Sequence, residues 1–237
     1  MTVFSYHIVK LPLTSALRII FFPVNSKQIS GLIYAETMSA MILGSPIFTV
    51  SRIFSRNIVI FAQWENESYL NDFLQSNLKG RKIAKGYHIR LKFLRQWGRI
   101  SGFQIPDKEL NTQNENIPVV AVTIARMRYR QIPRFLRWGR PVEKQVREDN
   151  GTTLSLASIQ YPNIISTFSI WKTQKAMTDM VHGHSKMPQP KRHINAMKER
   201  DKKDFHFEFT TLRFKPLAEF GEWQNKSDYI PDKAEMS

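Results

Sequence analysis

The six histidines carry the widest chemical reach in this 237-residue chain, because the sequence contains no cysteine. That absence removes disulfides, thiolate nucleophiles, zinc knuckles and cysteine-ligated iron–sulfur clusters together. His182-Gly183-His184, followed by His193, is the densest group, while His7, His88 and His206 stand apart. Neutral imidazole ligates metals through either ring nitrogen. An H-x-H pair lacks the H-E-x-x-H or carboxylate frame of a zinc site, so zinc is the weaker reading. A haem iron needs no spacing motif, because the porphyrin supplies four ligands and the protein one or two.

Other chemistries lose their usual marks. The chain has no G-x-S-x-G elbow, no P-loop and no G-x-G-x-x-G, which sets aside the common routes to acyl transfer, phosphoryl transfer and dinucleotide binding. Glu143, Glu148 and Asp149 sit among basic residues and read as solvated helix charges. Residues 126–140 interleave arginines with Tyr129, Phe135 and Trp138, a composition that suits single-stranded nucleic acid. With no RNP-like motif beside it, the stretch reads first as arginine stems covering apolar surface.

The elements that must position these residues fall into two runs. Residues 3–10 read as a strand and 14–22 as a helix; 26–43 are mostly compatible with helix. Residues 46–50 and 57–64 are β-branched and aromatic, hence strands. A helix then opens near Glu65, with Leu70, Phe73, Leu74 and Leu78 at helical spacing, and 88–98 alternate charged and apolar residues as a half-buried strand does. Residues 104–117 are polar and flanked by proline, the composition of a linker. Beyond it the order restarts: strand 118–126, a helical stretch 133–147 interrupted at Gly139-Arg140-Pro141, strands 153–159 and 164–171, helices 172–181 and from Lys191, and a last strand 205–214.

This is an internal repeat. Residues 57–65 match 163–172, and Trp64 and Trp171 stand 107 residues apart (171 − 64), each followed by a helix. Strand, helix, strand, strand, helix, strand is the ferredoxin-like split βαβ unit. The expected fold is α+β, with two tandem ferredoxin-like repeats forming a pseudo-dimeric α/β barrel. The first repeat covers 1–103, the linker 104–117, the second repeat 118–224 and a polar tail 225–237. A cavity between its sheets and helices is the expected small-molecule site.

Bulk properties bound the partners. Thirty-five Lys and Arg against 20 Asp and Glu give a net charge of +15, and 42% apolar residues, with 16 Phe and 5 Trp, suffice for a packed core. The longest apolar run, 17–24, holds Arg18 and Pro23 and is far short of the roughly 20 residues a spanning helix needs. With no secretory signal visible, a cytoplasmic protein with peripheral contact to an anionic membrane is expected.

Ordered strings add a resemblance. Ser166-Thr167-Phe168-Ser169-Ile170-Trp171, Ala176-Met177, His193 with Ala196-Met197-Lys198, Leu212-Arg213-Phe214 and Gly221-Glu222-Trp223 follow one another as in the spheroidene monooxygenase family of carotenoid oxygenases. Leu94-Arg95-Gln96-Trp97-Gly98-Arg99 and the segment 118–126 with Phe135 and Trp138 resemble its first half. The glycine-rich loop of that family is reduced here to Leu43-Gly44-Ser45-Pro46, and Met187-Pro188-Gln189-Pro190 is inserted before His193. These departures bear on substrate more than on fold.

The resemblance implies a haem-dependent oxygenase. It makes His193 the axial ligand candidate ahead of His182 and His184, with Phe168, Trp171, Met177 and Phe209 lining the substrate pocket. O2 would be the co-substrate, an apolar carotenoid or aromatic molecule the substrate, and the electron donor is not specified. Two rivals remain: a non-catalytic barrel that binds a ligand or nucleic acid through 126–140, and a cofactor-free oxygenase on the same fold.

Overall fold

The computed structural model describes residues 1–41, 56–104, 114–185, 187 and 189–231. Its first strand, β1 (Val3–Lys10), alternates as a strand must: Phe4, Tyr6 and Ile8 face one way, while Val3 and Val9 belong to a separate apolar layer on the other. The first half continues with α1 (Leu13–Phe21), β2 (Leu32–Met41), β3 (Asn57–Trp64), α2 (Glu67–Ser76), α3 (Leu78–Ile83) and β4 (Tyr87–Arg99). The second half repeats the order with β5 (Val119–Met127), α4 (Ile132–Glu148), β6 (Thr152–Gln160), β7 (Ile164–Trp171), α5 (Gln174–Val181), α6 (Arg192–Lys202) and β8 (His206–Phe220).

All eight strands close into one antiparallel barrel in the order β1-β3-β2-β6-β7-β5-β8-β4. Each half supplies the ferredoxin-like order, β4-β1-β3-β2 and β8-β5-β7-β6, so the expected single-chain α/β barrel is the observed fold. The halves join through β2–β6 and through the long β4–β8 ladder, which runs from His88 opposite Phe220 to Arg99 opposite Phe209. Among the described residues, closure leaves no strand of the barrel with a free edge.

The barrel lumen is solid. Phe4, Tyr6, Phe61, Phe168 and Phe214 are fully buried in it. Tyr6 stacks on Phe168 with ring centroids 3.9 Å apart, and Phe4 meets Phe214 at 5.0 Å. These spacings are those of packed aromatic pairs.

The repeat extends to single hydrogen bonds at the same 107-residue offset. Asn66 caps α2 by accepting from the Tyr69 amide, and Thr173 caps α5 by accepting from the Ala176 amide. Glu65 and Lys172, again 107 residues apart, donate their amides to the Gly31 and Gly151 carbonyls, 2.8 Å in each case, the two acceptors standing 120 residues apart (151 − 31). Gly31 has a φ of 70° and lies against the Tyr69 ring, where a Cβ would come within 2.1 Å; only glycine fits.

Three expectations change. Residues 32–41 form strand β2, not helix: Tyr34, Met38 and Ala40 reach the lumen core, and ladder pairing to β3 and β6 outweighs the helix propensity of Ala, Glu and Met. The strand expected at 46–50 lies outside the described residues. Helix α4 runs unbroken through Gly139-Arg140-Pro141, although Pro141 has no amide to donate within the helix. The tail is only partly polar in role: Tyr229 is buried, donates its hydroxyl to the Trp223 carbonyl at 2.6 Å and stands edge-on to Tyr87. Of the linker, 105–113 lie outside the described residues. Among the described residues no helix is long and apolar enough to cross a membrane.

Candidate functional site

The one-sided alternation of the second-half strands creates a second wall outside the barrel. On β7, Phe168 and Ile170 fill the lumen, so Thr167, Ser169 and Trp171 face outward. Helices α4, α5 and α6 roof this face but do not descend onto it, leaving a cavity of about 560 Å³. That lies within the roughly 300–1,000 Å³ of small-molecule and cofactor sites.

Side-chain ties between helices hold the roof up. Arg134 of α4 pairs with Glu199 of α6 at 3.0 Å and donates to the Lys203 carbonyl at 2.7 Å. Gln145, the fully buried residue of α4, donates to the Pro190 carbonyl just before α6. Helix α6 turns His193, Ala196, Met197 and Arg200 to the cavity, the i, i+3, i+4, i+7 stripe of one helical face.

His193, near the start of α6, places Nδ1 3.1 Å from the Val181 carbonyl. A carbonyl only accepts, so Nδ1 carries the proton and Nε2 keeps its lone pair. Burial lowers the His193 pKa, the Val181 bond opposes that and nearby His182 adds to it, leaving the ring neutral. A backbone-anchored neutral imidazole with a free nitrogen on a cavity wall is the form in which histidine ligates iron.

His206 is the second imidazole on the cavity, just beyond the far end of α6. Its Nδ1 lies 2.9 Å from Asp204 Oδ1, and its ring stacks on Phe209 at 4.8 Å. Burial brings its pKa down to about 4 and Arg200 adds to the fall, while the Asp204 carboxylate opposes it. The carboxylate accepts from Nδ1–H, so Nε2 is unprotonated here too. Nine residues of helix separate His193 from Lys202, on the order of 14 Å of rise. The cavity thus carries two neutral imidazoles from separate elements, one on α6 and one on β8.

Of the other residues singled out from sequence, Trp171, Met177 and Phe209 line this cavity together with His193. Phe168 borders it as well, but its ring is committed to the stack on Tyr6 inside the barrel. His182 caps the end of α5 at the cavity margin and is exposed. His184 is exposed and off the cavity, its ring 6.2 Å from that of His182. Among the described residues no three His, Asp or Glu side chains converge to hold a bare metal ion.

His206, Met180, Trp97 and Arg213, none of them assigned a site role from sequence, also stand on the cavity wall. The Asp204-x-His206 spacing and the alternation of Phe209, Thr211 and Arg213 on β8 were the available signals. The arginines of 126–140 turn out to be structural in part: Arg126 pairs with Glu36 and Glu208, and Arg128 donates to the His206 carbonyl. A larger depression of about 980 Å³ lies at the other end of β1. It is lined by backbone and by Lys10, Lys82 and Lys85, with none of the buried histidines.

No protein-family model matches the sequence, and no characterised protein matches it at sequence level. Solved structures do match the fold. The aldoxime dehydratase OxdRE, in complex with butyraldoxime, is 7% identical with a TM-score of 0.55, over 91% of this chain and 79% of that one. A further aldoxime dehydratase structure is 8% identical with a TM-score of 0.51, over 91% and 81%. LmHde, a heme-degrading enzyme from Listeria monocytogenes, is 12% identical with a TM-score of 0.30, over 90% and 99%. The class defined by fold and cavity is thus a single-chain dimeric α/β barrel with its open site in the second repeat. At these identities the likeness is one of fold alone.

Proposed function

We propose that this protein is a haem-dependent, monooxygenase-type oxidoreductase that inserts oxygen into an apolar substrate, similar to spheroidene monooxygenase. The observation that carries this reading is His193: a neutral imidazole, anchored through Nδ1 on the Val181 carbonyl, on the wall of an apolar cavity. The residues fit the group. Trp171, Met177, Met180 and Met197 supply flat and polarisable apolar surface for a macrocycle, and a single axial histidine suffices. When bound, haem supplies the iron that activates O2 with electrons from a donor; the chain supplies orientation and a dry site.

The chain's own part is division of labour between two imidazoles. His193 would hold the iron. His206, kept neutral and oriented by Asp204, would accept or return a proton at Nε2 on the same cavity. A long apolar substrate would be drawn from a membrane, and the +15 charge favours docking on anionic lipid.

Haem titration of the purified protein tests the reading. A stoichiometric Soret band is expected, with affinity reduced at least tenfold in His193→Ala and partly restored by added imidazole. Absence of the band, or undiminished affinity in His193→Ala, overturns it.

A further inference from the structure

The arginines around the cavity are not equivalent. Arg126 has Glu36 and Glu208, Arg134 has Glu199, and Arg200 has Asp204 at 3.5 Å. Arg213 has no acid. It projects from β8 onto the cavity wall, and its cross-strand neighbour in the β4–β8 ladder is Arg95. Both guanidiniums lie against the ring of Trp97, 4.4 Å and 4.7 Å from its centroid. Among the described residues no carboxylate comes within ion-pair distance of either.

Like charges directly opposite on neighbouring strands destabilise a sheet. Arg95 is exposed and Arg213 half-buried on the cavity wall; that partial burial, with the Arg95 charge beside it, lowers the Arg213 pKa. The Trp97 ring offsets part of the cost through cation–π attraction, but it cannot use the planar fork of N–H donors that a guanidinium presents. What such a pair matches is a carboxylate, which accepts two parallel N–H bonds and offsets one of the two positive charges.

We infer that Arg213, with Arg95 beside it and Trp97 as its platform, is a carboxylate-binding subsite of this cavity. The ligand is then an apolar body carrying an acid group. The inference rests on the cavity being a ligand site, not on the identity of the iron ligand. Two sources offer this chemistry: a propionate of bound haem, or an acidic apolar substrate.

Four ligands measured on wild type and on Arg213→Gln distinguish the sources. Oleate and oleyl alcohol are titrated into the haem-free protein, and haemin and haemin dimethyl ester are titrated separately. Oleate binding more tightly than oleyl alcohol by roughly tenfold to a hundredfold, with the advantage lost in Arg213→Gln, assigns the subsite to an acidic substrate. The same pattern between haemin and its dimethyl ester, with oleate and the alcohol equal, assigns it to a propionate. Acid and neutral forms binding alike in both series overturn the subsite. Haemin failing to bind while oleate retains its arginine-dependent advantage overturns only the haem reading. Thermal melting guards against a misfolded variant: removing one of two facing cations leaves the ligand-free midpoint unchanged or higher, and Arg95→Gln gives the same result. A lowered midpoint in both variants would show that the arginines are structural, and would also overturn the inference.

Discussion

The two halves of the barrel share one plan and treat the space outside it in opposite ways. In the first half Trp64 packs on Phe73 at 5.2 Å, and α1 to α3 seal the outer face with Ala16, Ile19, Leu70 and Ile83 fully or almost fully buried. At the same 107-residue offset Trp171 meets Met177 and Met180, where the first half has Leu70 and Phe73. Helix α3 packs against α2, where a Cβ on Gly80 would sit 1.8 Å from the Phe73 carbonyl oxygen, and its Ile83 joins the apolar layer of Ile58 and Ile60 on β3. Its counterpart α6 is longer and is tied to α4 instead of to the sheet. Identical strand registers therefore produce a sealed layer in one half and a cavity in the other. The decision rests with helix content: Leu70, Phe73 and Ile83 close the first-half layer, whereas in the second half α6 is tied to α4 through Arg134 and Glu199 and leaves space over the sheet.

The largest expected difference is in the cost of removing the matched side chains. Phe73→Ala should destabilise by about 3–5 kcal/mol, since it opens a void in a closed layer. Met180→Ala, at the matched position, borders space that is already open and should lose about 2 kcal/mol or less. Denaturant midpoints of the two variants measure this. Equal losses would mean that the second-half layer is as well packed as the first.

The shared plan of the two halves is legible in the sequence, whereas the contrast between them is not, and for a physical cause. The repeat, the tryptophan pair and the split βαβ order rest on alternation and helical spacing, which survive in a single sequence. His193 was readable because the resemblance carried it. His206 and Arg213 were not, because nothing in β8 itself says which face of the strand meets a cavity and which meets a core. Strand β2 was misread as helix because Tyr34, Met38 and Ala40 acquire their period of two only when β3 and β6 pair with it. Sealed and hollow halves look alike until the helices are placed.

A titration separates the halves further. His7 and His88 face each other across β1 and β4, their rings 5.0 Å apart, and among the described residues no side-chain nitrogen of either finds a hydrogen-bond partner. By strand register their second-half counterparts are Thr123 and Thr211, whose hydroxyls lie 3.4 Å apart on the cavity wall. Burial holds the His7 pKa well below the usual histidine value, with His88 and Arg90 adding to the effect; burial and Arg90 take His88 down to about 4. Unfolded histidine protonates near 6.5. Between about pH 6.5 and 4 the unfolded chain binds more protons, so stability should fall as pH falls through that window. His7→Thr/His88→Thr, which installs the second-half residues in the first, should flatten the slope of melting temperature against pH. The remaining slope should come from His206 and His193. An unchanged slope would show that this pair does not carry the acid response of the first half.

The smallest expected effect tests the same contrast by addition. Ala16 lies on the buried face of α1 with no exposed surface, and Ala196 lies on the cavity face of α6, also buried. Enlarging a residue in a closed layer forces neighbours off their rotamers, so Ala16→Leu should destabilise by about 1–3 kcal/mol. Ala196→Leu extends apolar atoms into open space between Met197 and Trp171, and burying about three carbons there should be neutral or stabilising by up to about 1–2 kcal/mol. The same leucine occupies volume that a ligand needs, so it should weaken haemin or oleate binding even as it raises the melting temperature. That opposition is the feature to look for. A sealed layer shows lost stability alone, whereas a binding cavity exchanges affinity for stability. If Ala196→Leu destabilised the fold as Ala16→Leu does, the space beneath α6 would be too narrow to admit a ligand, and the two halves would differ in composition but not in kind.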